Sequence, residues 1–181
     1  MKSICVYLGS SLSSKHSRLT ESIITLGHQL VTHNCRLIYG GSSQGLMGLL
    51  AQSVIDKGGK VTGVIPTCLI QQEIPPNNLN ELIIVNSMQE RKLRLQEQAD
   101  AFLVVPGGLG TLEEVFDTWN AIKLGIFNKP LGFLNIDGYY DGLFSFIKNC
   151  SDTGFVKKTH LDIPIINANS QILLTELLKS T

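Results

Sequence analysis

A chain of 181 residues, 43% hydrophobic and 17% charged, is long enough to bury a substantial core without disulfides or metals, and suggests one domain spanning residues 1–181. Lys+Arg and Asp+Glu balance at 15 each, so no overall basic field favours nucleic acid or an acidic membrane surface. No signal peptide is visible and no run approaches the roughly 18 apolar residues of a membrane span. Cys5, Cys35, Cys68 and Cys150 lack a CxxC pair, which points to free thiols in a reducing cytoplasm.

In chain order, Ser3–Leu8 (SICVYL) is a compact apolar strand ending in Gly9-Ser10-Ser11. Leu19, Ile23, Leu26 and Leu30 then recur at helical spacing, and that helix ends near His33-Asn34. Cys35–Tyr39 is the second strand and stops at Gly40-Gly41. A small-residue helix from Leu46 is closed by Gly58-Gly59. Lys60–Ile65 is a third strand, stopped by Pro66, and residues 67–80 read as a longer irregular connection. Glu81–Val85 is the fourth strand, after which Ser87 caps the helix MQERKLRLQEQA.

Ala101–Val105 (AFLVV) is the fifth strand, running into PGGLGTLEE (Pro106–Glu114) and a helix that continues to Gly125. Pro130–Asn135 gives a strand, Tyr139–Cys150 a helix, Ile163–Asn167 a short strand and Ser170–Lys179 a last helix. Strands and helices alternate with connections unsuited to hairpin pairing. That pattern predicts an α/β fold: a Rossmann-like, doubly wound parallel sheet with helices on both faces.

Ligands of such sheets bind beyond the carboxyl ends of the strands. Three small-residue clusters fall there: Gly9-Ser10-Ser11, Gly40–Gly45 and Gly107–Thr111. Each alone is explained by the needs of a tight turn; three together on one edge favour an anion site. The first turn, GSSLSS, is not G-x-G-x-x-G, and no acidic residue ends the second strand, which argues against a dinucleotide. No G-x-x-x-x-G-K-[ST] is present, and His16, His28, His33 and His160 lack metal-ligand spacing.

Two residues carry two readings each. Arg91, with Lys92 beside it, either forks onto a phosphate or leaving base or lies on a solvated helix face. Glu114 fits a capping box with Thr111 at the N-cap, or serves as a carboxylate beside the anion site, with Glu113 next to it facing the same pocket or solvent.

The motifs taken together resemble the LOG (LONELY GUY-type) family of cytokinin riboside 5′-monophosphate phosphoribohydrolases, long mislabelled as lysine decarboxylases. The matching pieces are CVYLGSS, YGG followed by GLMG (Tyr39–Gly48), GVIP (Gly63–Pro66), SMQERK (Ser87–Lys92), PGGLGTLEE and LGFLNIDGYYD (Leu131–Asp141). They run in family order across nearly the whole chain.

The resemblance implies hydrolysis of the N-glycosidic bond of a nucleoside 5′-monophosphate; no cofactor or metal is expected. By the same resemblance, Arg91 and Glu114 form the catalytic pair. Gly107, Gly108, Leu109, Gly110, Thr111, Leu112 and Glu113 match the phosphate loop and its continuation. Glu73 and Lys92 match residues that line the nucleotide site in relatives, and Gly9, Ser10, Gly40 and Gly41 of the strand-end clusters, with Met47, are the further substrate-binding candidates. A homodimer is implied too, to which the apolar Leu46–Leu50 stretch adds weak support from the sequence itself. Departures are Leu8 for a cysteine, Ser42 for a third glycine, and Asn120–Gly125 where relatives commonly read TWAQLG. Base preference is the property these bear on. A pyridoxal-dependent decarboxylase would need a Schiff-base lysine in a cofactor pocket, and the residues around Lys92 and Lys123 supply no such context.

Overall fold

The structure, a computed structural model, describes residues 1–11 and 17–181. His16 and the later part of the GSSLSS turn lie outside the described residues. Seven strands follow the seven apolar runs: β1 (Lys2–Tyr7), β2 (Cys35–Tyr39), β3 (Val61–Pro66), β4 (Glu81–Val85), β5 (Ala101–Val104), β6 (Leu131–Leu134) and β7 (Pro164–Asn167). All pair in parallel in one sheet, in the order β4-β3-β2-β1-β5-β6-β7. Between them run helices α1 (Ser17–Thr32), α2 (Gly45–Asp56), α3 (Ile70–Glu73), α4 (Met88–Gln98), α5 (Leu109–Lys123), α6 (Asp141–Asp152), α7 (Lys158–Leu161) and α8 (Ser170–Lys179). This is the Rossmann-like α/β fold.

Alternation along β1 sorts the core into two layers. Ile4, Val6 and Leu8 pack with Ile23, Leu26 and Leu30 of α1, Leu50 and Val54 of α2, and Leu173 and Leu177 of α8. Cys5 and Tyr7 point to the opposite face, with Phe102, Val104, Leu95 of α4, Val115 and Trp119 of α5, and Ile147 of α6. Because both faces are covered, the strands read as continuous apolar runs rather than alternating ones. Leu46, Met47 and Leu50 are buried within the chain itself. Most of the apolar Leu46–Leu50 stretch is therefore core, and only Gly48 and Leu49 keep part of their surface exposed.

The 67–80 connection is more ordered than its composition predicts. It holds a 3-10 turn at Thr67–Leu69 and the four-residue α3, neither of which contains a buried residue. Without a buried stripe, no apolar period marks them. Helix α6 starts at Asp141 rather than Tyr139, because Asp137 and Gly138 take positive φ (50° and 71°) and close a separate turn first.

The strand order decides where a ligand sits. From β1 the chain winds outward through β2, β3 and β4, then crosses back to lay β5 on the other side of β1. The helices that follow β1 and β5 pack on opposite faces of the sheet, and a crevice opens above the β1–β5 pair at the carboxyl edge.

Candidate active site

A cleft of about 570 Å³ fills that crevice. Its floor is made by the turns after β1 and β5, which touch each other. Gly9 N donates to Pro106 O at 3.4 Å, and a Cβ on Gly9 would stand 3.3 Å from Gly107 Cα. On Gly107 a Cβ would press on Gly9 N at 2.8 Å and on the Thr111 side chain. Glycine at both positions is thus a condition of the close approach.

Helix α5 begins at Leu109 with Gly108 as N-cap, and no side chain caps it. This corrects the capping-box reading: Thr111 is the third residue of the helix and Glu114 the sixth, so neither holds its capping position. The contact between Gly107 and Gly9 sets the turn early, and a glycine takes the extended cap conformation. Among the described residues, the N–H groups of Gly108, Leu109, Gly110 and Thr111 donate to no protein acceptor. Open N–H groups at the positive end of a helix form an anion cradle. Leu109 is 86% exposed, so its side chain stands away and its backbone is what it contributes.

Glu114 lies one turn further along α5, facing the cleft and only 7% exposed. Burial pushes its carboxyl up to about 7; Arg91 pulls the other way, Glu113 and Glu73 add to the rise, and Lys92 opposes it weakly. At neutral pH this group exchanges a proton readily, as a general base must.

Arg91 is 4% exposed, which removes the solvated-face reading. Its helix is capped locally: Ser87 Oγ accepts from Glu90 N at 3.1 Å, and Glu90 Oε2 accepts from Asn86 N at 2.9 Å. Arg91 Nη2 donates to Gly40 O at 2.9 Å, while the buried Nε has no partner. No ion pair within 4.0 Å joins Arg91 to Glu114. The pair is coupled through the cleft rather than neutralised by contact.

Of the residues singled out from the sequence, Gly9, Ser10, Met47, Glu73, Arg91, Gly107–Thr111 and Glu114 line this one cleft. Glu73 closes the short α3, with Oε2 buried and unpartnered. Its carbonyl takes Ser42 Oγ and Ser43 N, each at 3.2 Å. Lys92 does not line the cleft; it pairs with Glu113 at 3.0 Å on the outer side of α4 and α5. Leu112 and Glu113 are likewise outside it, and Gly40 and Gly41 act from behind. Gly40 leaves room for the Arg91 guanidinium, and Gly41, at φ 82°, packs on Val64 and Ile65.

Reasoning from the sequence left out Leu69, Met88 and Tyr139, all of which line the cleft. Met88 had a usable signal, since it stands three residues before Arg91 on the same helix face. Tyr139 had none of that kind: it arrives from the β6–α6 connection because β6 lies beside β5. Among the described residues, no group of three His, Cys, Asp or Glu side chains is placed to hold a metal.

The chain matches a family model described as "possible lysine decarboxylase" over residues 47–177. It is 44% identical over 171 residues to cytokinin riboside 5′-monophosphate phosphoribohydrolase LOG2 of Arabidopsis thaliana, covering 94% of this chain and 80% of that one. LOG7 of the same plant, with the same activity in its name, is 43% identical over 176 residues, covering 97% and 81%. Among solved structures, the structural-genomics target TM1055 superposes with a TM-score of 0.75 at 22% identity, covering all of both chains. The Moco carrier protein of Chlamydomonas reinhardtii does so at 0.72 and 21%, again over both whole chains. At such identities these two share the fold and carry no functional argument.

Proposed function

Because the chain belongs to the LOG family of cytokinin riboside 5′-monophosphate phosphoribohydrolases, we propose that it hydrolyses the N-glycosidic bond of N6-modified adenosine 5′-monophosphates to free base and ribose 5-phosphate. One observation carries the reading. An uncapped helix end with open N–H groups and a buried carboxyl poised near neutrality share one cleft, one helical turn apart.

The 5′-phosphate docks on the Gly107–Thr111 turn, and its binding energy places C1′ against Glu114. Breaking the C1′–N bond builds oxocarbenium character at C1′, which the Glu114 carboxylate stabilises while taking a proton from the attacking water. Water oxygen bonds to C1′ as the C1′–N bond breaks; the base leaves with that electron pair and takes a proton from solvent, to which Glu114 returns the proton it took. Arg91, held by Gly40 O, supplies a fixed positive charge toward the leaving group. A pyridoxal decarboxylase would need a Schiff-base lysine, and among the described residues none lines the cleft.

A homodimer is supported by family membership and by the exposed apolar side chains Leu93 of α4 and Leu124 and Ile126 after α5. A cytoplasmic location is supported by four free cysteines; no helix among the described residues is long and apolar enough to cross a membrane. Asn120–Gly125, the stretch that departs from the common family pattern, lines no part of this chain's cleft.

Incubating the purified protein with isopentenyladenosine 5′-monophosphate should release base and ribose 5-phosphate, resolved by chromatography. Intact substrate overturns the proposal. A higher kcat/KM for AMP than for the prenylated nucleotide would assign the protein to nucleotide salvage instead. Tight AMP binding without release of adenine would make it a binding protein.

A further inference from the structure

Three consecutive carbonyls in the anion-binding turn are each held by a donor. Tyr140 OH donates to Val105 O at 2.8 Å, Gly9 N to Pro106 O at 3.4 Å, and Tyr139 OH to Gly107 O at 2.7 Å. The next carbonyl, Gly108 O, already accepts the first helical bond from Leu112 N at 3.0 Å. The carbonyl dipoles are thereby occupied along the turn, and the N–H groups that follow are left open to the cleft.

The two tyrosines differ in setting. Tyr140 is 2% exposed and sits in the core, whereas Tyr139 is 49% exposed and lines the cleft. A half-exposed hydroxyl has water available, so burial does not force its bond to Gly107. The turn under it is tied by several contacts. Asn135 Oδ1 accepts from Tyr140 N at 2.8 Å, and Asn135 Nδ2 donates to Asp141 Oδ1 at 2.7 Å. Tyr139 N bonds Ile136 O at 3.0 Å, and the two tyrosine rings meet edge to face at 4.9 Å. Asp137 takes a left-handed φ of 50° in this turn, which Asp tolerates better than most non-glycine residues.

The peptide that Tyr139 holds lacks the Cβ barriers that keep most peptides from turning over. It joins Gly107 to Gly108, so no Cβ on either side resists rotation, and around Gly108 there is open space within 4 Å of where a Cβ would stand. Rotating it would exchange an N–H for a carbonyl oxygen at the place where an anion docks. We propose that Tyr139 is the positioning residue of the phosphate turn: its hydroxyl locks the Gly107 carbonyl away from the cleft so that the turn presents donors to the 5′-phosphate. Tyr139 acts through the loop backbone and takes no part in bond cleavage. The inference rests on the phosphoribohydrolase reading for the identity of the anion.

The test compares wild type with Tyr139→Phe, which removes one oxygen and keeps the ring. Calorimetry measures Kd for ribose 5-phosphate and for adenine, and steady-state kinetics measures KM and kcat for the nucleotide. The expected result is a Kd for ribose 5-phosphate and a KM weakened between about threefold and tenfold, the range of one lost hydrogen bond. Adenine affinity and melting temperature should stay unchanged, and kcat/KM for the nucleotide should fall by at least the loss in ribose 5-phosphate affinity. Unchanged ribose 5-phosphate affinity, or an equal loss for adenine, overturns the proposal. A wild type that binds ribose 5-phosphate but cleaves no nucleotide refutes the hydrolase reading alone, and the Kd ratio still decides the role of Tyr139. A wild type that binds no ribose 5-phosphate overturns both.

Discussion

Replacing Glu114 with Gln tests catalysis and burial in one variant, and the two effects have opposite signs. The change keeps the shape of the side chain and deletes its charge. Loss of a positioned acid–base group lowers kcat by about 10²–10⁴. For stability, the sign follows from the carboxyl being pushed from its ordinary 4.5 to about 7, chiefly by burial. The folded state then holds its proton more tightly than the unfolded chain does. Stability from this group is full below pH 4.5 and is lost as pH rises toward 7. At about 1.36 kcal/mol per pKa unit the loss approaches about 3 kcal/mol. Glutamine is neutral throughout and escapes it. Glu114→Gln should therefore match wild type near pH 4.5 and be more stable at pH 8 by up to about 3 kcal/mol, measured by urea denaturation at both pH values. In the same preparation the activity loss is read from base release. A variant less stable than wild type at pH 8 would refute the burial argument, and an unchanged kcat would refute the catalytic one. The wild-type rate should rise with pH along a limb centred near 7 rather than in the usual glutamate range.

Three other substitutions probe the support around this pair. Arg91→Ala removes the main influence lowering the Glu114 pKa, so the acid limb of the rate profile should move to higher pH while kcat/KM falls by about 10² or more. Gly40→Ala puts a methyl where the Arg91 guanidinium lies; kcat/KM should fall toward the Arg91→Ala value although residue 40 does not line the cleft, and full activity would show that Arg91 has another acceptable position. Thr118→Val leaves Tyr7 OH and Gln96 Nε2 without the buried hydroxyl that they meet at 2.8 and 3.2 Å. Stability should drop by about 1–3 kcal/mol in chemical denaturation, with KM for the nucleotide little changed.

Much of the fold was legible because apolar spacing is a local record of which side of an element meets the core. Leu19, Ile23, Leu26 and Leu30 announced α1, and unbroken runs such as AFLVV announced strands covered on both faces. All seven strands and the six longer helices follow from such patterns. The four-residue α3 and α7 contain no buried residue and left no such trace. The site was legible in part: PGGLGTLEE reads as a strand, a glycine turn and a helix start. The choice between Glu114 as cap and Glu114 as buried carboxyl was not, since both fit the same spacing.

Contacts between distant segments made that choice. Pairing of β5 with β1 brought Pro106 and Gly107 onto Gly9, which started α5 at Leu109 and carried Glu114 past the cap into the cleft. Arg91 and Lys92 are neighbours in sequence, yet one turns inward to a carbonyl 51 residues away and the other outward to Glu113. Tyr139 reaches the turn only because β6 was laid beside β5. The amino-acid sequence by itself determined the elements, their apolar faces and the motif that cradles an anion. Strand order, and with it the aim of Arg91, Glu114 and Tyr139, was decided by tertiary structure, because those orientations depend on backbone groups supplied by other parts of the sheet.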